Sequence, residues 1–281
     1  MTGPDADATS AALASRVDVR EVALLTELVM ITELYDRIWR PSTNPVVGTE
    51  LLRALNKAGN YVAGAFDGHE LVGACVGFFA APTHTALHSH IAGVSPTVPG
   101  RHVGYALKLH QRAWALHNGT PLIEWTFDPL VARNAYFNIV KLGGVPAEYL
   151  PNFYGDMADG INGDDDTDRL LLRWELGAPR VVDACAGRFR LVDTEDARAA
   201  GAMIGLGRSD REEPLLGSTE ADTVLVAVPH DVEALRLTDP GAAKAWRIAV
   251  REVLGGLLAG GARVTGFARD GWYVVQRAEA A

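Results

Sequence analysis

Cysteine is nearly missing from this sequence, with only Cys75 and Cys185 in 281 residues. They lie far apart and make no CxxC or Cys/His spacing, which excludes a disulfide scaffold and a zinc site built on paired thiolates. Cys75 falls in the apolar run LVGACVGFF and reads as a buried structural thiol. So few thiols fit a reducing cytoplasm. A basic excess is missing too. The net charge is −9, which argues against a nucleic-acid partner, because broad contact with phosphate backbone needs a basic surface. A local pocket for one phosphorylated cofactor remains compatible with it. No stretch reaches the ~18 apolar residues of a membrane span. The opening MTGPDADATSAALAS has no basic n-region and no apolar h-region, so no secretory signal is expected. Residues 1–16 read instead as a flexible tail.

What is present is ordinary for a soluble domain. Apolar residues make up 48% and charged residues 22%, enough to bury the core of one large domain or two small ones. Periodicity predicts a strand over 17–22, helices over 23–39 and 48–58, and strands over 61–66, 71–79 and 85–94. Asp67-Gly68 is a hairpin signal. A helix over 103–118, a strand over 122–127, a helix over 130–142 and a strand over 170–176 follow, the last two joined by a long loop over 145–168. Gly177-Ala178-Pro179 marks an expected boundary. Beyond it the pattern predicts a strand over 180–192, a helix over 195–205, a loop over 206–222, a strand over 223–228, a helix over 241–259 and paired strands over 262–268 and 272–277.

The stretch HSHIAGVSPTVPGRHVGYALKLHQRAWALHNG, residues 88–119, carries the chemistry. A strand runs into a proline-bearing turn and the turn into a helix. A helix start leaves amide hydrogens without partners and favours an anion. Gly104 has no Cβ to keep a diphosphate at a distance. Arg101 adds a fork of donors.

This stretch resembles motif A of the GNAT acyltransferase superfamily, Q/R-x-x-G-x-G/A after a V-x-P segment. Val94-Ser95-Pro96, then Arg101, Gly104 and Ala106, fill those positions. The resemblance implies a mixed, mostly antiparallel sheet flanked by helices over 17–177, with a smaller α/β unit over 178–281. It implies acyl-CoA, such as acetyl-CoA or succinyl-CoA, as co-substrate, and no metal. His102, Val103, Gly104, Tyr105 and Ala106 would hold the diphosphate, and Ala92, Gly93 and Val94 the pantetheine arm. Asp128-Pro129 to Gly143 resembles motif B, which gives Asn134 a cofactor role. One position departs from the family: where many members carry a proton-donating Tyr, this chain has Ile139. Tyr136, Tyr149 or Tyr154 would have to substitute, or the thiolate would leave unaided. The run WTFDPLVARNAYFNIVKLGG…YLPNFYG resembles a branch with a C-terminal extension, some members of which acylate amino acids, including with succinyl-CoA.

Acyl transfer to an amine needs a base. Period two puts His88, His90, Ala92 and Val94 on one strand face, and Glu124, Thr126 and Asp128 on one face of the next. His90 is the first base candidate and Glu124 the second, since His titrates near neutrality and burial makes a carboxylate a better proton acceptor. Tyr154 is a candidate acid. His88, Tyr149 and Asn152 are candidate acceptor contacts. Hydrogen-bonded strand histidines without catalytic duty are the plain alternative for His88 and His90. The Asp run at 163–168 reads as a solvated turn, and Arg247 and Arg251 as a solvated helix face. The C-terminal unit packs its own sheet, covers the acceptor pocket or forms a homodimer contact. The expected function is acyl transfer from CoA to a small-molecule amine, and the alternative is an acyl-CoA-binding module without turnover.

Overall fold

A computed structural model describes residues 3–41, 44–82, 84–155 and 165–277. Asp156, residues 160–164 of the expected loop, and Met1 and Thr2 of the expected tail lie outside the described residues. The chain divides into two compact units. Residues 3–125 with 175–177 form the first, and 126–155, 165–174 and 178–277 form the second. This division differs from the one expected at Gly177. The second unit takes in the motif B helix and the hairpin after it as well as the C-terminal segment.

The first unit opens with a correction. Residues Pro4–Ser15 form helix α1 rather than a flexible tail. Pro4 sits in the first turn, where its missing N–H costs nothing, and Arg16 ends the helix at φ 54°. Its buried residues are Ala8, Ala11 and Ser15, and it packs against the helix Val103–His117. Those side chains are small, so no stripe of large apolar residues announced the helix.

Strand β1 (Asp18–Glu21), helices α2 (Leu25–Trp39) and α3 (Thr49–Lys57), and strands β2 (Tyr61–Asp67), β3 (Glu70–Phe79) and β4 (Leu87–Val94) follow. Helix α4 (Val103–His117) and strand β5 (Leu122–Phe127) complete the unit. The strands lie in the order β1-β2-β3-β4-β5. The first three pairings are antiparallel, and β4 with β5 is parallel. Leu28, Ile31, Leu34 and Tyr35 of α2 are fully buried against Val62, Ala74 and Val76. Each such aliphatic contributes roughly 1.5–3 kcal/mol by leaving water. A Cβ at Gly93 would lie 2.8 Å from Ile38 and Trp39, so glycine lets α2 close on β4. Helix α4 covers the other face, where Val103, Ala106, Leu107 and Leu109 are buried. A mostly antiparallel sheet flanked by helices is the fold the sequence led us to expect.

In the second unit, α5 (Ala132–Ala135) runs on as a π-helical turn, Tyr136–Lys141. Strands β6 (Val145–Leu150) and β7 (Arg169–Glu175) pair antiparallel. Then come α6 (Pro179–Cys185), α7 (Thr194–Ala199), β8 (Met203–Arg208), β9 (Pro214–Leu216), β10 (Thr223–Ala227), α8 (Val232–Thr238) and α9 (Pro240–Val250). A π-helical turn at Arg251–Gly255 leads into α10 (Gly256–Ala259), followed by β11 (Arg263–Ala268) and β12 (Trp272–Gln276). Five strands form one sheet in the order β11-β12-β10-β8-β9, with β10 parallel to β8.

Several local expectations fail here. Residues 180–192 do not form a strand. Pro179 opens α6, which buries Val181, Ala184 and Cys185 at helical spacing. The helix expected over 195–205 stops at Ala199, because Gly201 turns the chain at φ 99° and β8 begins at Met203. Helix α8 was not expected. Asp231 caps it through a bond from the Ala234 amide at 3.0 Å.

Candidate active site

The first unit brings β4, the turn after it and the start of α4 together. The β3–β4 register runs Val76↔Ile91 and then Gly77↔Ser89, so His90 is an extra, bulged residue. The bulge changes which residues share a face. His88 and His90 stay together, with ring centres 6.0 Å apart and with Phe78 at 5.0 and 5.7 Å. Ala92 and Val94 pair with Cys75 and Gly73, whose missing Cβ points at Val103 and Leu107 of α4. Ile91, on the other face, packs in the α2 core. The single face expected for His88, His90, Ala92 and Val94 is therefore two faces.

The β4–β5 ladder has two pairs, Leu87↔Ile123 and His88↔Glu124. Beyond His88 the ladder ends, and β4 from His90 onward is not paired with β5. His90 and Ala92 are exposed, and Glu124 is half-buried opposite His88. Partial burial lowers the pKa of His90, and burial followed by His90 and Lys108 lowers that of His88. Both rings are thus neutral, the proton-accepting form, near pH 7.

After Val94, the Ser95 amide donates to the Val72 carbonyl at 2.8 Å, which fixes the turn. Gly100 takes φ 72° and His102, at the helix N-cap, takes φ 59°. A histidine held in the left-handed region is strained, as turns at ligand sites often are. No side chain caps α4. Among the described residues, the amides of His102, Val103 and Gly104 meet no acceptor, whereas Tyr105 and Ala106 donate to the His102 carbonyl at 2.9 and 3.2 Å. Of the five residues expected to hold a diphosphate, three present unpartnered amides and two do not. A Cβ at Gly104 would touch only Val94, at 3.7 Å. Protein packing therefore does not require glycine there.

Arg101 does not point into this cradle. Its Nε and Nη2 donate to the Ser15 and Arg16 carbonyls at 3.1 and 2.6 Å, and Nη1 pairs with Asp67 at 2.6 Å. It ties the end of α1 to the turn. Lys108, which the sequence reading passed over, is buried beneath β4, with its Nζ 2.7 Å from Ser89 Oγ. Its signal was visible: a lysine between Leu107 and Leu109 on a helix whose inward face is apolar.

The remaining candidates belong to the second unit. Asn134 is exposed at the start of α5, and Ile139 is buried in the π-helical turn, offering no proton. Tyr149 and Asn152, expected as acceptor contacts, take part in hydrogen bonds that join β6 to the start of β7. The Tyr149 hydroxyl donates to Asp168 at 2.7 Å, and burial together with Asp168 holds its pKa far above the ordinary range. The Asn152 side chain accepts from Thr167 Oγ1 at 3.2 Å, and its amide donates to Asp168 at 2.9 Å. Tyr154 is exposed, with its hydroxyl 3.0 Å from Thr126 Oγ1.

The Asp run is likewise no solvated turn where it is described. Arg247 donates to both oxygens of Asp128, at 2.8 and 2.9 Å, and Arg236 joins them at 2.6 Å. Asp165 accepts from Arg236 and Arg247, and Arg251 pairs with Asp166 and Asp168, each at 2.6 Å. Burial would raise the Asp128 carboxyl, but the two arginines outweigh it and hold the group well below the carboxylate range. Among the described residues, no group of three His, Cys, Asp or Glu side chains could hold a metal.

No family model and no curated protein matches this chain. Among solved structures it is similar to the ribosomal-protein-S18-alanine N-acetyltransferase from Escherichia coli, at 12% identity over 58% of this chain and 95% of that one, with a TM-score of 0.47. It is also similar to a GNAT superfamily phosphinothricin acetyltransferase from Sinorhizobium meliloti in complex with AcCoA, at 14% identity over 56% and 87%, with a TM-score of 0.44. The fold is GNAT-like. The strand order β1-β2-β3-β4-β5 and the short parallel ladder between β4 and β5 are the features of this chain that give it that fold.

Proposed function

We propose that this protein transfers an acyl group from coenzyme A to the amine of a small molecule, in the cytoplasm. One observation carries the reading: the unpartnered amides of His102, Val103 and Gly104 lie at the end of a strand whose edge is released from its neighbour. The amides and the positive end of α4 suit a diphosphate. The released edge of β4 suits the amide groups of a pantetheine arm, which pair with backbone as a strand does. Bound there, the cofactor supplies an activated thioester. His90, the extra residue where the β4–β5 ladder has ended, and neutral, takes the proton from the attacking amine. His88 and Phe78 pack beside its ring and restrict its orientation. With Ile139 where a proton donor is common in the family, the thiolate leaves as such, which a thiol pKa of about 8.5 permits.

The test is to mix the full chain with acetyl-CoA and a panel of amino acids and other amines and to follow thiol release. Thiol release that depends on one class of amine is the expected result. CoA binding with no release across the panel would make the protein an acyl-CoA-binding module, the alternative that Ile139 leaves open.

A further inference from the structure

His90 is the residue that β4 adds to its pairing with β3, and its two neighbours in the chain are held from opposite faces of the sheet. On one face lies α4. Its buried Lys108 donates from Nζ to Ser89 Oγ at 2.7 Å. The same ammonium donates to Gln111 Oε1 at 3.0 Å and lies 3.8 Å from the centre of the Trp125 ring of β5. One cation therefore holds a side chain of β4 and a side chain of β5 just past His88↔Glu124, the last pair of their ladder. On the other face lies α2. There the hydroxyl of the fully buried Tyr35 donates to the Ile91 carbonyl at 3.5 Å. Across from the bulge, β3 carries Gly77. A Cβ on it would lie 2.9 Å from the His88 carbonyl and 3.2 Å from Gln111 Nε2, so glycine lets both close on β3.

A bulged residue is left out of the ladder, and the bonds that fix a regular strand do not fix it. Here side chains hold the residues on either side of it. A hydrogen bond from a charged donor is about twice as strong as a neutral one. Among the described residues no carboxylate pairs with Lys108. Burying a charge without an anion works against folding, so packing alone would favour an apolar side chain at that position. The His90 ring itself is exposed and meets Phe78 and His88. With its backbone loosened, it would swing into water.

We propose that Lys108 and Tyr35 are positioning residues, which hold Ser89 and Ile91 from the two faces of the sheet and so set where the His90 ring stands. This inference rests on the reading of His90 as the base. Its test is an NMR titration of the His90 ring, with turnover and CoA calorimetry, in Tyr35→Phe, Lys108→Met and Ser89→Ala. The first removes one hydroxyl and the second one ammonium. Ser89→Ala cuts the tie to Lys108 from the β4 side, keeps the charge, and serves where the Met variant does not fold. The ionisable groups packed around this segment are His88 on β4, Glu124 on β5, Cys75 on β3, Lys108 on α4 and Tyr35 on α2. Burial is what lowers the His90 titration in the native chain, so a ring released into water should titrate higher, toward about 6.5. Turnover should fall roughly tenfold, part of the ~10²–10⁴ that a well-placed base contributes, with CoA affinity within about twofold of the native chain. A native His90 titration in both Tyr35→Phe and Ser89→Ala, or a loss of CoA affinity equal to the loss of turnover, would overturn the proposal. A shift in one of them alone keeps that anchor and removes the other. If no amine is acylated, the reading of His90 as a base falls, while the titration, which needs no substrate, still decides whether the bulge is held in this way.

Discussion

At the scale of single residues, Gly104 and His90 separate fold from function. Gly104 occupies the first turn of α4 with room for a methyl group, and glycine in a helix costs stability relative to alanine. Gly104→Ala should therefore stabilise the protein by roughly 0.4–1 kcal/mol in a denaturant melt, while weakening CoA binding measured by calorimetry. Gly104→Glu should abolish that binding through bulk and like charge. A loss of stability with unchanged CoA affinity would mean that the position serves only the fold. For His90, partial burial lowers the pKa, so the base is already neutral below the ordinary histidine range. The acid limb of kcat/KM should accordingly lie on the acid side of that range, about 6.5 for histidine in a peptide, and His90→Ala should erase it. A limb that persists in the variant would pass the role of base to another group. Arg101 gives the opposite lesson, because a residue that fits a motif by type is spent on Ser15, Arg16 and Asp67.

At the scale of elements, the buried charges of the second unit do work that the sequence reading gave to solvent. Arg247, fully buried on α9, holds Asp128, which follows β5, and Asp165, which precedes β7. Removing one partner of such a cluster leaves a buried charge uncompensated. Arg247→Met should cost about 3–5 kcal/mol, read as a lower denaturant midpoint, although methionine fills similar space. A change within a few tenths of a kcal/mol would show the cluster to be dispensable. The same network explains Tyr149 and Asn152. Their spacing in a long connector looked like a binding loop, but Asp168 and Thr167 use them to fasten β6 to β7.

At the scale of the whole molecule, the acid response follows from those carboxylates. Asp128 and Asp168 both ionise at lower pH folded than unfolded: burial opposes this, and arginine partners override it. Their stabilisation is fully present above the unfolded carboxylate pKa of about 3.9, and is lost as pH falls through the folded values. Thermal midpoints should thus be level near neutrality and drop steeply below about pH 4–5, with a shallower drop in Arg247→Met. A flat midpoint down to pH 3 would contradict this account.

Periodicity, turn chemistry and one glycine-bearing helix start were local properties. For that reason the sequence alone determined the strands and helices of 18–127, the hairpin at Asp67-Gly68 and the helix start that holds Gly104. What stayed hidden depends on partners distant in the chain. The alanine face of α1 becomes visible only against α4. The bulge at His90 arises from pairing with β3, and no spacing within β4 encodes it. The arginine–aspartate cluster joins residues more than a hundred positions apart, as Asp128 and Arg247 are. Lys108 is a cation without a counter-ion only because the fold closes Ser89, Gln111 and Trp125 around it. Local hydrogen bonding and period are written into neighbouring residues, whereas burial and ion pairing are decided by which distant side chains the tertiary fold brings together.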